Sequence, residues 1–329
     1  MTKPSDNMTI SDLVCSSELN KEAIVVPGIT TITYENLLYQ VESLKNDLIS
    51  IGITKRDRIA IVLPNSIEFV VTFLAVSAVA TVAPLNPSYK SEEFEFYIKD
   101  INAKVLITTK ASNSEINELD IDGLSRMTVS IDANGKLVLG RLNRVQQSGI
   151  HGSNEIIHGK TALILHTSGT TSRPKRVPLS HENIISSTNH IIDTYSLSHR
   201  DVSLCVMPLF HVHGLVASTL ATLSSGGTLI LPQRLNIATF WGTVTKYNVT
   251  WFSAVPTIHQ ALIGRRRQNK ELSRPDGLRF IRSCSAPLAN QTLIDMEELF
   301  GVPVLEAYGM TEAAHQMTSN PLPPDKRMI

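Results

Sequence analysis

The sequence predicts an α/β fold of two doubly wound sheets, and three observations carry that expectation. The chain has 329 residues, more than one ordinary domain gathers around a single core, so two packed units are expected. Apolar residues make up 42% of it, enough for a large core and against global disorder. Short apolar runs bounded by turn residues alternate with segments of helical period, the pattern of parallel sheets covered on both faces. The expected boundaries are a tail over 1–20, a first unit over 21–158 and a second over 159–329.

Leu37, Val41, Leu44 and Leu48 recur at helical spacing, so a helix over 34–51 should bury one stripe. Ile59 to Leu63 is a continuous apolar run closed by Pro64 and Asn65, and it reads as a buried strand. A helix over 66–80 leads into a strand at 81–85, and a helix over 91–101 into a strand at 104–109. The run from Phe69 to Leu85 carries no charge, but it is short for a membrane span and Glu68, Asn65 and Pro84 bound it. A buried helix and strand account for it, and no integral membrane contact is expected. Residues 110–158 are polar; 128–132 and 136–139 around Asn134 and Gly135 read as a small hairpin within a connection between the units. The alternation then resumes, with strands at 161–166, 201–207, 228–232, 249–254, 278–283 and 302–307. Helices are expected around 181–196, 213–224, 237–247, 256–269 and 289–300, with Gly226, Gly227 and Gly301 at C-cap positions.

Thirty basic residues balance thirty acidic ones, which gives no support to a nucleic-acid or anionic-membrane surface. Arg265, Arg266 and Arg267 with Lys270 form a local exception that reads as a solvated helix end. Cys15, Cys205 and Cys284 make neither a disulfide framework nor a C-x-x-C pair, so a reducing compartment is expected. The first twenty residues are polar and carry no apolar core of a secretory signal. A soluble, cytoplasmic chain is the expectation.

After the run Thr161 to His166 come Thr167, Ser168, Gly169, Thr170, Thr171, Ser172, Arg173, Pro174 and Lys175. Hydroxyls, a glycine and two cations thus follow a buried strand, shortly before a helix that opens near Ser180 and His181. A phosphate chain needs many hydrogen-bond donors, a closely approaching backbone and positive charge. A polar Ser/Thr-rich turn is the alternative, and the strand-to-helix setting with paired cations favours phosphate. The Walker A pattern is excluded, because Pro174 stands where its second glycine belongs and Arg176 follows the lysine. G-x-G-x-x-G is also absent, against a dinucleotide fold.

The loop closely resembles the phosphate-binding motif of the adenylate-forming superfamily, which includes acyl-CoA synthetases, aryl-CoA ligases, luciferases and peptide-synthetase adenylation domains. Further motifs follow in that family's order. Pro208 to Gly214, with His211 and His213, resembles the substrate-gating segment, although two histidines at i and i+2 also leave a metal site open. Ser283 to Leu288 resembles the segment beside the adenine and acyl pocket, and Glu306 to Glu312 resembles the Y-G-x-T-E motif. The resemblance runs from about Thr33 to Pro321.

The resemblance implies that Thr167, Ser168, Gly169, Thr170, Thr171 and Lys175 wrap the β- and γ-phosphates of ATP. Tyr308 would lie against adenine, Ser285 beside it, Thr311 at the α-phosphate, and Glu312 would hold Mg²⁺. Lys175, Thr311 and Glu312 are then the catalytic set. The implied reaction joins a small carboxylic acid to AMP and then passes the acyl group to CoA. Among branches, the oxalate–CoA ligases and coumarate-ligase-like proteins are most similar, through His166 to Lys175, Phe280 to Ala286 and Met310 to Pro321. Ser283, Ser285, His211, His213 and His315 are the implied acid-binding residues, because a small second carboxylate needs donors rather than an apolar lining. A satisfied core histidine is the alternative for His315, and coumarate or a fatty acid stays open as substrate.

Two departures from the family pattern stand out. Arg176 occupies the position of a usual glycine after the loop lysine. The sequence also ends at Ile329, soon after Y-G-x-T-E, whereas the resemblance implies a β-barrel, a ribose-binding aspartate and a mobile C-terminal domain with a lysine beyond it. Low activity is therefore expected of this chain alone, with self-association through the surface a barrel would cover. A non-catalytic nucleotide- or partner-binding protein remains the second reading. Some members of this family are peroxisomal, but no targeting signal is seen here.

Overall fold

A computed structural model describes residues 8–14, 16–112, 114–132, 135–141, 161–167, 174–268 and 276–327. It divides into two compact units, Met1–Asp12 with Glu35–Ile185, and Leu13–Tyr34 with Ser186–Ile329.

In the first unit a seven-stranded sheet has the order β7-β6-β5-β3-β4-β8-β9. Its strands are β3 (Arg58–Val62), β4 (Thr81–Pro84), β5 (Val105–Thr109), β6 (Ser125–Ile131), β7 (Leu137–Arg141), β8 (Thr161–Thr167) and β9 (Lys175–Ser180). β3, β4, β5, β6 and β8 run parallel, and β7 and β9 close the edges antiparallel. Ile59, Ala60 and Ile61 are fully buried, as a run without alternation should be when both sheet faces are covered. Helix α1 (Tyr34–Ser50) buries Leu37, Val41, Leu44 and Leu48, the stripe its spacing predicts. Helix α2 (Ile67–Val79) is apolar on nearly every side and is buried on nearly every side. Ser66 starts it by accepting a hydrogen bond from the Phe69 N–H at 3.3 Å. Helices α3 (Ser91–Asp100) and α4 (Ser114–Asn117) follow.

The second unit holds an eight-stranded sheet in the order β15-β14-β13-β12-β10-β11-β1-β2. Its strands are β1 (Glu22–Val26), β2 (Thr30–Thr33), β10 (Val202–Cys205), β11 (Thr228–Ile230), β12 (Trp251–Ala254), β13 (Phe280–Ser283), β14 (Val304–Met310) and β15 (His315–Ser319). The inner pairs are parallel, while β2 and β15 pair antiparallel at the two edges. Successive residues of a strand face opposite ways. On one face Phe252, Ile281 and Val304 join a core with Phe240, Trp241, Leu262 and Phe300. These come from α7 (Phe240–Lys246), α8 (Pro256–Gln268) and α9 (Asn290–Phe300). On the other, Trp251 stacks on Phe280 at 5.5 Å, and Phe280 on Tyr195 of α5 (His181–Tyr195) at 5.1 Å. Helix α9 stops at Gly301, whose φ of +70° lets its N–H close on the Glu297 carbonyl. His213–Leu220 forms a π-helical segment that tightens into α6 (Ala221–Ser224), where an ordinary helix over 213–224 is expected.

Four features differ from the sequence expectation. The units are not contiguous blocks: β1 and β2 join the second sheet, and β8 and β9 the first. The supposed tail packs a 3-10 turn, Ile10–Leu13, with Ile10 fully buried. The 125–141 hairpin is not a connection, because β6 pairs parallel with β5 and extends the first sheet. Finally β9 intervenes between the polar loop and α5. Among the described residues no helix is long and apolar enough to cross a membrane. Arg265, Arg266 and Arg267 do end a helix, Arg267 pairing with Asp295, while Lys270 lies outside the described residues.

Candidate functional site

On the first unit, β8 ends at Thr167 and β9 starts at Lys175, and these two residues are register partners. β8 and β9 thus pair as an antiparallel hairpin, and the strand β9, not α5, follows directly. Ser168, Gly169, Thr170 and Thr171 lie outside the described residues. Thr167 is half-buried, and Lys175 is exposed with no ion-pair partner among the described residues. Arg176 is engaged elsewhere. It donates from Nη1 to the Asp100 carbonyl at 2.7 Å, with Nε 4.0 Å from the Asp100 carboxylate. Asp100 is the last residue of α3, where orphan carbonyls and the helix dipole both favour a cation. His166 Nε2 lies 2.9 Å from the same carboxylate. Burial lowers the His166 pKa, although Asp100 opposes that shift.

The second unit gathers four of the expected acid-binding residues around the C-terminal end of β13, where ligands of open α/β sheets bind. Ser283 ends the strand on the face opposite Arg282, 1% exposed, and its Oγ has no partner. Two residues on, Ser285 is exposed with a left-handed φ of +72°. His213 opens the π-helical segment, 2% exposed, with Nδ1 3.0 Å from Ser285 Oγ and Nε2 2.6 Å from Ser253 Oγ. His315 opens β15, also 2% exposed, with its ring centroid 5.2 Å from that of His213 and Nε2 unpartnered. Two glycines make this packing feasible. A Cβ on Gly214 would stand 2.3 Å from the Pro208 carbonyl oxygen, and one on Gly309 only 1.7 Å from that of His315. His315 itself has φ +125°, a strained backbone for a side chain of that size.

Sequence reasoning missed the residue at the base of this cluster. Arg282 is fully buried, and no carboxylate pairs with it among the described residues. It donates from Nε to Tyr195 Oη at 2.9 Å, from Nη1 to Ser253 Oγ at 2.9 Å and from Nη2 to Gln316 Oε1 at 3.1 Å. A cation inside the run Phe280 to Cys284 is the signal that could have flagged it. Burial first, and the Arg282 charge second, push the pKa values of His213 and His315 well below the usual imidazole range. Both rings are thus neutral near pH 7. The cluster presents neutral polar groups above a buried positive charge, an arrangement that favours an anion.

The remaining expected residues lie on and after β14. Tyr308 is 63% exposed, Thr311 is half-buried, and Glu312 sits exposed in the 3-10 turn Thr311–Ala313. Glu312 has no ion-pair partner among the described residues, so its carboxylate is available. His211 is exposed and lies against Phe210 at 4.8 Å. Among the described residues no three His, Cys, Asp or Glu side chains are grouped to hold a metal. Both nitrogens of His213 already face serine hydroxyls, so the alternative of a histidine metal site at 211 and 213 gains no support.

The AMP-binding enzyme family model matches residues 14–329. An oxalate–CoA ligase of Arabidopsis thaliana is 44% identical over 97% of this chain and 63% of its own length. One from Saccharomyces cerevisiae is 40% identical over 98% of this chain, again 63% of the relative. Among solved structures, ATP-bound MatB from Rhodopseudomonas palustris superposes with a TM-score of 0.80 and 26% identity, over 97% of this chain and 63% of that protein. The chain thus spans somewhat less than two thirds of the relatives it matches.

Proposed function

Because the chain belongs to the AMP-binding enzyme family, we propose that it serves an ATP-dependent acid–CoA ligase whose acid is oxalate. The acid's carboxylate attacks the α-phosphorus of ATP, giving an acyl-adenylate and pyrophosphate. The thiol of CoA then displaces AMP, a far better leaving group than a carboxylate oxygen. Lys175, with the loop that precedes it, takes the β- and γ-phosphates, and its uncommitted ammonium suits that role. Tyr308 offers an exposed aromatic face to adenine, Ser285 lies beside it, and Thr311 contacts the α-phosphate. Glu312 fits a Mg²⁺ ion that takes one carboxylate from the protein and its other oxygens from phosphate and water. Bound there, the ion would neutralise phosphate charge. The reducing compartment implied by the cysteine pattern agrees with a cytoplasmic enzyme.

One observation carries the choice of acid. His315 Nε2 is a buried polar atom without a partner, and the Arg282 guanidinium, which no carboxylate neutralises among the described residues, lies beside the same histidines. Orphaned groups of this kind are costly unless a ligand satisfies them. A two-carbon dianion places a second carboxylate beside the reacting one, where a fatty acid would present methylenes. The two oxalate–CoA ligases among the relatives support the same reading.

Two calorimetric measurements test this. Lys175→Ala should weaken Mg–ATP binding about 10- to 100-fold, the usual worth of a hydrogen bond to a charged group. Equal affinity in both proteins would remove the loop from the nucleotide site. His315→Ala should weaken oxalate by a similar factor, about 1.5–3 kcal/mol. Tighter binding of coumarate than oxalate, or indifference to the histidine, would sink the oxalate assignment.

A further inference from the structure

Four polar side chains run in sequence from the buried cation to the exposed end of the cluster. Arg282 donates to Ser253 Oγ at 2.9 Å, Ser253 Oγ lies 2.6 Å from His213 Nε2, and His213 Nδ1 lies 3.0 Å from Ser285 Oγ. Their order follows from the sheet, because Ser253 of β12 and Arg282 of β13 are register partners on one face.

Donor and acceptor counting gives the chain a direction. A guanidinium has N–H groups and no acceptor, so Arg282 can only donate to Ser253. That occupies one lone pair and turns the serine's hydrogen elsewhere. Among the described residues the acceptor in reach is His213 Nε2. A neutral imidazole has one proton, and an Nε2 that accepts leaves it on Nδ1, facing Ser285 Oγ. Ser285 then accepts from His213, and its own hydrogen is free to point outward. With the opposite polarity, His213 and Arg282 would both donate to Ser253, whose own buried hydrogen would be left without an acceptor among the described residues.

We propose that Arg282, acting through Ser253, holds His213 with its proton on Nδ1, so that Ser285 presents its hydroxyl hydrogen to the bound acid's carboxylate. The identity of that ligand rests on the oxalate reading above; the proton positions do not. Ser285 is the contact, while Arg282, Ser253 and His213 are positioning residues. The strained left-handed backbone at Ser285 is consistent with a side chain held at a required angle. The two unpartnered atoms, Ser283 Oγ and His315 Nε2, lie outside the relay and leave its direction unchanged.

The test is nitrogen NMR of the full chain carrying ¹⁵N-histidine, with His213 assigned by its disappearance in His213→Gln. The expected spectrum has a protonated Nδ1 and a bare Nε2 at pH 7.5. Ser285→Ala should keep that pattern, because the Arg282 side of the relay is intact. Ser253→Ala should lose it and populate the other tautomer. Calorimetry with oxalate and AMP should show at least a tenfold loss in both variants. A wild-type His213 protonated on Nε2, or on both nitrogens, overturns the proposal even if Ser253→Ala fails to fold. The expected tautomer in a protein that does not bind oxalate would keep the relay and overturn the choice of acid.

Discussion

Lowering the pH from 6.5 to 5 should destabilise the fold, by roughly 1–2 kcal/mol through His259 and further through the buried His213 and His315. His213, His259 and His315 are 2%, 0% and 2% exposed. Burial is the largest cause of depression in all three, and it brings His259 down to about 4. In the unfolded chain each titrates near 6.5. Below that value the unfolded state takes up protons that the native state refuses, so stability falls as pH falls. Each histidine contributes about 1.4 kcal/mol per pH unit until its native pKa is reached. Stability is full above the unfolded value and erodes below it. Carboxylates add their own effect only below about pH 5, so the window above that reads the histidines. Urea unfolding at a series of pH values would check this, and a midpoint unchanged from pH 7 to pH 5 would contradict it. A domain typically has about 5–15 kcal/mol in total, so the loss should be obvious.

Arg282→Ala should cost about 3–5 kcal/mol of unfolding free energy. The substitution removes a charged donor at once from Tyr195 Oη, Ser253 Oγ and Gln316 Oε1, leaving them only their contacts to Ser319, to His213 and to one another. It also opens a cavity beside Tyr195, whose ring lies 5.8 Å from the guanidinium carbon. Working against this, a buried cation without a carboxylate carries a desolvation cost that the variant relieves. Arg282→Met separates the two, because it fills much of the space without the charge and should lose less than alanine. Equal stability of wild type and Arg282→Ala in urea would mean that the cation is held at a net cost equal to its contacts.

Much of the fold was legible because its central strands are continuous apolar runs. Ile59 to Leu63 and Thr161 to His166 could be read from the chain alone. The edge strands β9 and β15 were not, for a physical reason. Lys175–Ser180 and His315–Ser319 are polar and partly solvated, so they carry little periodic signal and one contains Pro178. The hairpin at 125–141 was visible, but its docking on β5 is a long-range pairing that no local pattern encodes. The π-helical segment at His213 was equally hidden, since an apolar run fits either helix type. At the candidate site, His213, Ser283, Ser285 and His315 were singled out through motif resemblance. Ser253 and Arg282 were not, because a serine and an arginine gain meaning only when two strands bring them together.

The pairing of β1 with β11 has a consequence for synthesis on the ribosome. Ile24 and Val25 add to the second sheet beside Leu229 and Ile230, roughly 200 residues later in the chain. At about 5–20 residues per second, the first strands emerge some 10–40 s before their neighbour exists. The sheet of the first unit needs nothing beyond Ser180 and can assemble in the meantime. Throughout that interval the apolar stretch Ala23 to Val26 must wait with its backbone unpaired on one side. An unpaired strand edge of this kind is a natural binding site for a chaperone, and a substitution that slowed translation before residue 229 would lengthen its exposure.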